Sequence, residues 1–189
     1  MTKKINLRFY VLLAMVIIAG LSRLIVHLPN FTPIGAMALF GGAYFADKLK
    51  AYFMPLLSLF LSDMIIQGIV YQGQYGFPLY EGWYWVYGTF ALIVLFGTVM
   101  IKKITVANVL LACIVAALAH WIITDFGVWY SGCNVAVYTK DFNGFVLCYT
   151  MAIPYLMNFL MGTVFYAGIL FGAFELAQRQ FPHLAKQQY

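Results

Sequence analysis

The sequence predicts an all-α integral membrane protein, and three observations carry that prediction. Hydrophobic residues fill 64% of the 189 positions and charged residues 9%, whereas soluble domains carry about 25% charged residues. The apolar residues gather into runs of the length that crosses a bilayer, roughly 20 residues each. The Lys and Arg residues fall on alternate connections between those runs, as the positive-inside rule requires of a chain that crosses repeatedly. The whole of residues 1–189 reads as one transmembrane domain, with no internal repeat, low-complexity tract or soluble module.

Six spans are expected, at about 7–26, 33–46, 51–70, 84–101, 105–124 and 155–175. The first follows Lys3, Lys4 and Arg8 and resembles a signal peptide. It lacks a small-residue cleavage site and soon meets Arg23, so it reads as an uncleaved span. The second opens at Thr32-Pro33, a hydroxyl that can cap free N–H groups followed by the residue best suited to a first helical position. It carries Gly35, Ala38, Gly42 and Ala46 on roughly one face, where another backbone can come close. At about 21 Å it is short for a span and must lean on its neighbours. The chain turns at 47–50, and the third span then delivers Ser62 and Asp63 to membrane depth. The fourth and fifth are uniform apolar runs joined at Lys102-Lys103. Residues 125–144 read as a polar and aromatic outer loop. The apolar piece 145–153 is too short to span and ends or kinks at Pro154, so a half-helix before the last span fits it.

Orientation follows from charge. Of 11 Lys and Arg, only Arg23 and Lys140 lie on one side; Lys3, Lys4, Arg8, Lys48, Lys50, Lys102, Lys103, Arg179 and Lys186 lie on the other. Both termini are therefore expected in the cytoplasm.

In that frame the ionisable and amide side chains concentrate toward the outer ends of the spans: Arg23 on the first, Asp63 and Gln67 on the third, His120 and Asp125 on the fifth, Asn158 on the last. Charges at membrane depth are costly and usually face a bundle interior or a watery cavity. An outward-opening polar chamber is one arrangement that accommodates them. An Arg23–Asp63 structural ion pair, His120–Thr124 interhelical bonding and Asn158 as helix glue are the plainer alternatives. Loops that alternate aromatics, amides and glycines, with Tyr75 in 71–83 and Trp129 and Tyr130 in 125–144, suit a lid over a planar ligand.

Other chemistry is missing. There is no phosphate-binding glycine loop, no His-Glu-x-x-His zinc helix and no Gly-x-Ser-x-Gly elbow. Cys113, Cys133 and Cys148 lack metal spacing, and a Cys133–Cys148 bridge requires both to face an oxidising compartment. Neither an enzyme nor a cofactor or metal site is expected, and the basic charge is explained by topology rather than by a nucleic-acid partner.

The segment 30–45, the Ser62-Asp63 ending, the Phe-Gly-Val-Trp stretch at 126–129 and Ala-Ile-Pro at 152–154 resemble a family of small bacterial membrane proteins of uncharacterised function. More distantly, six short spans with both termini inside resemble the substrate-binding S components of energy-coupling-factor vitamin transporters. That resemblance implies a bacterial inner-membrane location, an outward pocket gated by loops, and a transmembrane coupling subunit with cytoplasmic ATPases on other chains. It departs from the S components in one respect: Ala14 and Ala19 are five apart, so the Ala-x-x-x-Ala docking signature is absent. Small-residue pairs at Gly42/Ala46, Ala112/Ala116 and Gly168/Gly172 could replace it or serve internal packing.

The expected function is a membrane-embedded subunit that captures a small, vitamin-like organic solute from the outer side. Arg23, Asp63, Gln67, His120, Asp125 and Asn158 would make the polar contacts, and Tyr75, Trp129 and Tyr130 the stacking walls. The alternative is a structural or assembly subunit of a larger membrane complex.

Overall fold

A helix with no polar face is covered on every side by lipid or by other helices, and Ile34–Tyr44 (α2) stands in the middle of the bundle. Its residues from Ile34 through Gly42, and Tyr44, are all buried. In the computed structural model, which describes residues 7–25, 28–74, 78–131 and 137–185, six further helices complete the fold. They are Leu7–Ser22 (α1), Lys48–Ile65 (α3, continued by a π-helical turn Ile66–Val70), Trp83–Met100 (α4), Val106–Ser131 (α5), Phe142–Met151 (α6) and Ile153–Gln180 (α7). A short 3-10 turn, Pro182–Leu184, follows. No strand occurs among the described residues. α1, α3, α4, α5 and α7 all pack against α2.

Four helices are long and apolar enough to cross a membrane: Lys48–Val70, Trp83–Met100, Val106–Ser131 and Phe142–Gln180. α1 and α2 are shorter, 16 and 11 residues. The second element thus becomes a core helix of about 16 Å. It begins one residue after Pro33, and the Thr32 hydroxyl accepts a hydrogen bond from the Ile34 N–H at 3.3 Å. Residues 28–33 lead into it along α7: the Asn158 amide donates to the Pro29 carbonyl at 2.9 Å. Farther along α7, a Cβ on Gly162 would stand 2.8 Å from the Thr32 nitrogen. Irregular backbone away from water must be covered by protein and have its polar groups bonded, and α7 covers this stretch and bonds the Pro29 carbonyl.

Inside a bilayer, burying apolar surface against apolar neighbours gains little, so close van der Waals packing and interhelical hydrogen bonds hold helices together. The α2–α4 crossing shows this. A Cβ on Gly42 would lie 2.1 Å from the Val94 oxygen, and one on Gly97 would lie 2.3 Å from the Leu39 oxygen. The two backbones therefore touch, and the Thr98 hydroxyl bridges to the Gly42 carbonyl at 3.2 Å.

The expected loop 125–144 is helical at its start, because α5 runs on to Ser131. Its last turns are held by aromatic packing: Gly127 sits against the Trp85 ring, and Phe126 stacks on Tyr130 one turn later with centroids 5.7 Å apart. α6 realises the half-helix. Asp141 caps it, accepting from the Gly144 N–H and the Thr139 hydroxyl, each at 2.8 Å. Those bonds hold its carboxyl below the usual range. The break before α7 falls at Ala152, with Pro154 in the first turn of α7, where its missing N–H is harmless.

The described cations Arg8, Lys48, Lys50, Lys102, Lys103 and Arg179 gather at one end of the bundle. Trp83, Trp85, Trp129, Tyr130 and the Arg23–Asp63 pair lie at the other. These are called the basic and aromatic ends below.

Candidate functional site

At the aromatic end, α1 ends at Ser22 and releases Arg23 toward α3, where Ser62 and Asp63 occupy consecutive buried positions. One Arg23 nitrogen, Nη1, donates to Asp63 Oδ1 at 2.7 Å and to Ser62 Oγ at 2.5 Å. The Tyr87 hydroxyl donates to the other carboxylate oxygen, Oδ2, at 2.9 Å. Only 13% of the Arg23 side chain and 4% of the Asp63 side chain are exposed. Tyr80 lies beside them, and its phenol is pushed above its ordinary range first by burial and then by the Asp63 charge. Gln67, one turn beyond Asp63, is also buried, and its Oε1 has no hydrogen-bond partner among the described residues. Arg23, Asp63 and Gln67 are thus brought together, with both carboxylate oxygens already engaged.

The other sequence-expected residues lie apart. His120 is stacked on Phe159 with centroids 4.2 Å apart and also meets Phe90 at 5.5 Å. Thr124 donates to the His120 carbonyl rather than to its ring. Asp125 is half-buried; its backbone oxygen accepts from the Cys148 thiol at 3.6 Å. Trp129 Nε1 donates to the Thr139 carbonyl at 3.1 Å, and Tyr130 is 61% exposed beside Lys140. Asn158 serves Pro29, as described above. No hydrogen bond or ion pair links His120, Asp125 or Asn158 to the Arg23–Asp63 cluster among the described residues. Tyr75 and Cys133 lie outside the described residues, and with Cys133 the proposed Cys133–Cys148 bridge.

The basic end holds a second constellation, which reading along the chain passes over. Arg8, the second residue of α1, reaches three elements at once. It donates to the Gln178 side chain at 3.1 Å, to the Leu184 carbonyl, and to the Tyr44 carbonyl at 3.4 Å. Its guanidinium also lies 5.1 Å from the centre of the Phe174 ring. Glu175 Oε1 accepts from both the Tyr44 hydroxyl and Gln178 Nε2. Beside this network is a cavity of about 410 Å³, lined among others by Arg8, Tyr44, Lys102, Glu175, Gln178 and Arg179. Lys102 and Arg179 are exposed, and neither has an ion-pair partner among the described residues. A site with three cations and one engaged carboxylate favours an anion. The sequence clue was Glu175, a lone carboxylate near the end of an apolar run, but its partners are up to 167 positions away and nothing local points to them.

A second cavity of about 410 Å³ adjoins the first through Ile104, Glu175 and Arg179. It is an apolar groove between α5 and α7, walled by Val109, Cys113, Val164, Phe171 and the glycines Gly168 and Gly172.

A family model described as a family of unknown function (DUF6580) matches residues 3–184, and the chain belongs to that family. No curated protein and no solved structure matches it.

Proposed function

We propose that this chain is a membrane-embedded binding subunit for a small organic anion, with its ligand at the basic end of the bundle. The observation that carries this reading is the convergence of Arg8, Lys102 and Arg179 on a 410 Å³ cavity with Tyr44, Glu175 and Gln178 as further polar contacts. That volume lies within the range of about 300–1,000 Å³ common to ligand sites. The outward chamber reads less well, because three of the polar groups expected to line it are engaged within the chain: Asp63 accepts from Arg23 and Tyr87, and Asn158 donates to Pro29.

In this reading the chain crosses the bacterial inner membrane six times, with both termini cytoplasmic. The second crossing combines α2 with residues 28–33, an irregular stretch in which the Phe31 N–H closes a turn on the Leu28 carbonyl and Asn30 is left-handed. The clustering of cations at one end supports the orientation. Kinship with S components would instead put the ligand at the aromatic, outer end; it belongs to the outward-chamber reading, in which transport would require a coupling subunit and ATPases on other chains.

A structural or assembly subunit is the second reading, favoured by the Arg23–Asp63–Tyr87 network at the aromatic end, in which both carboxylate oxygens are taken up within the chain. Native mass spectrometry of the protein released from its own membrane separates the two. A retained small anion, lost when Lys102 and Arg179 are changed to Glu, supports binding. Stoichiometric protein partners with no retained molecule support assembly.

A further inference from the structure

We infer that the anion of the basic cavity is a bilayer lipid, with its phosphate headgroup at Lys102 and Arg179 and one acyl chain in the groove between α5 and α7. The inference rests on reading the basic cavity as an anion site and goes on to name the class of ligand.

Continuity is the first ground. The polar cavity and the apolar groove share Ile104, Glu175 and Arg179, so a single molecule can occupy both. Chemistry changes sign along that path. Cations surround the upper part, and aliphatic and aromatic side chains line the lower part, as an amphiphile with an anionic head requires. The groove extends along α7 from Val164 to Arg179, about 22 Å at 1.5 Å per residue. An acyl chain lying along it would run from headgroup height toward the bilayer centre.

The second ground is the glycines. A Cβ on Gly42, Gly97 or Gly162 would collide with a neighbouring backbone, so these serve packing within the chain. Gly168 and Gly172, one turn apart on α7, have nothing within 4 Å of where a Cβ would stand. No helix among the described residues uses their smallness; what it leaves is open groove.

Charge selects the lipid. Guanidinium and ammonium groups between helix ends at the cytoplasmic side are suited to lipid phosphates. A zwitterionic headgroup would bring its own ammonium toward Lys102 and Arg179 and lose much of the gain. An acidic partner helix would also fit a groove with a cationic mouth, and the experiment below tests that outcome directly.

The test uses the full chain in detergent, titrated in native mass spectrometry with dioleoyl phosphatidylglycerol, dioleoyl phosphatidylcholine and the tail-free headgroup analogue glycerol 3-phosphate. Gly172→Leu, with Gly168→Leu as a second variant, projects a side chain into the groove without touching the cavity, and the Cβ at either site meets no atom within 4 Å. Phosphatidylglycerol should be retained at least about tenfold more than phosphatidylcholine, a difference of 1.4 kcal/mol. Both leucine variants should lose that retention while glycerol 3-phosphate binding is unchanged, and Lys102→Glu with Arg179→Glu should abolish both. If the leucine variants hold phosphatidylglycerol as the native chain does, the lipid inference is overturned and the anion site stands. If glycerol 3-phosphate and phosphatidylglycerol both ignore the two charge reversals, the anion site itself fails. A polypeptide retained by the native chain and displaced by Gly172→Leu would assign the groove to a protein and overturn the lipid.

Discussion

Replacing Gly42 by Ala tests whether the central helix is held by direct backbone contact. The added Cβ would stand 2.1 Å from the Val94 oxygen and 2.9 Å from the Thr98 nitrogen, both backbone atoms of α4 that no rotamer change can remove. Restoring an ordinary 3.4 Å contact requires the helices to part by roughly 1.3 Å locally. A gap of 0.5–1 Å already forfeits about a quarter to a half of each dispersion contact across it. The Thr98–Gly42 bond, at 3.2 Å, would open as well. Overpacking of this kind costs about 1–3 kcal/mol, and in a membrane no water-driven burial compensates for it. The expected loss is about 2–3 kcal/mol, which for a chain of this size corresponds to roughly 4–12 °C in the unfolding midpoint. Gly168→Ala is the matched control. It sits in a helix with open space around it and should be neutral or stabilising by up to about 1 kcal/mol through helix propensity. Thermal unfolding of both variants in the same nanodisc, followed by tryptophan fluorescence, provides the comparison. If Gly42→Ala melts within 1–2 °C of Gly168→Ala, a range set by the same size scaling, the α2–α4 contact does not hold the bundle together and the argument from packing fails.

Three further outcomes are expected. Arg23→Ala or Asp63→Ala alone should cost about 3–5 kcal/mol by leaving a buried charge without its partner, while Arg23→Met with Asp63→Leu should recover most of the loss; a double-mutant cycle with near-additive losses would refute the pairing. Asn158→Ala should destabilise by about 0.6–2 kcal/mol by orphaning the Pro29 carbonyl, and equal proteolysis rates at 28–33 in the variant and the native chain would count against that role. Asp141 has its carboxyl pKa lowered in the fold by the Gly144 N–H and Thr139. Its contribution to stability is therefore present above the unfolded carboxyl pKa and is lost as pH falls through the lowered value. Asp141→Asn should flatten the acid side of the melting-temperature profile, and an unchanged profile would rule the cap out as its source.

Composition alone decides that this chain belongs in a membrane, because a residue's preference for hydrocarbon is a property of that residue. Several boundaries are equally local. Asp47 caps α3 through the Leu49 and Lys50 N–H groups, and the chain breaks just before Pro154. The gathering of Arg8, Lys48, Lys50, Lys102, Lys103 and Arg179 at one end follows from span count and needs no tertiary information. Only the folded chain shows which polar groups are already matched. Arg23 and Asp63 stand 40 residues apart, and their sequence is equally compatible with a ligand between them or with the 2.7 Å pair that forms. The same limit hid the cavity at Arg8, Tyr44 and Glu175, whose members come from three helices distant in the chain. It also left α2 as a short span leaning on its neighbours, where the fold makes it a helix buried along almost its whole length. Its uniform apolarity is the signature of lipid exposure and of burial among helices alike, and the neighbours that touch Gly35 and Gly42 decide between them. Hydropathy measures what a side chain tolerates, whereas hydrogen bonds and close packing depend on which partner arrives within about 3 Å, and only tertiary structure supplies that.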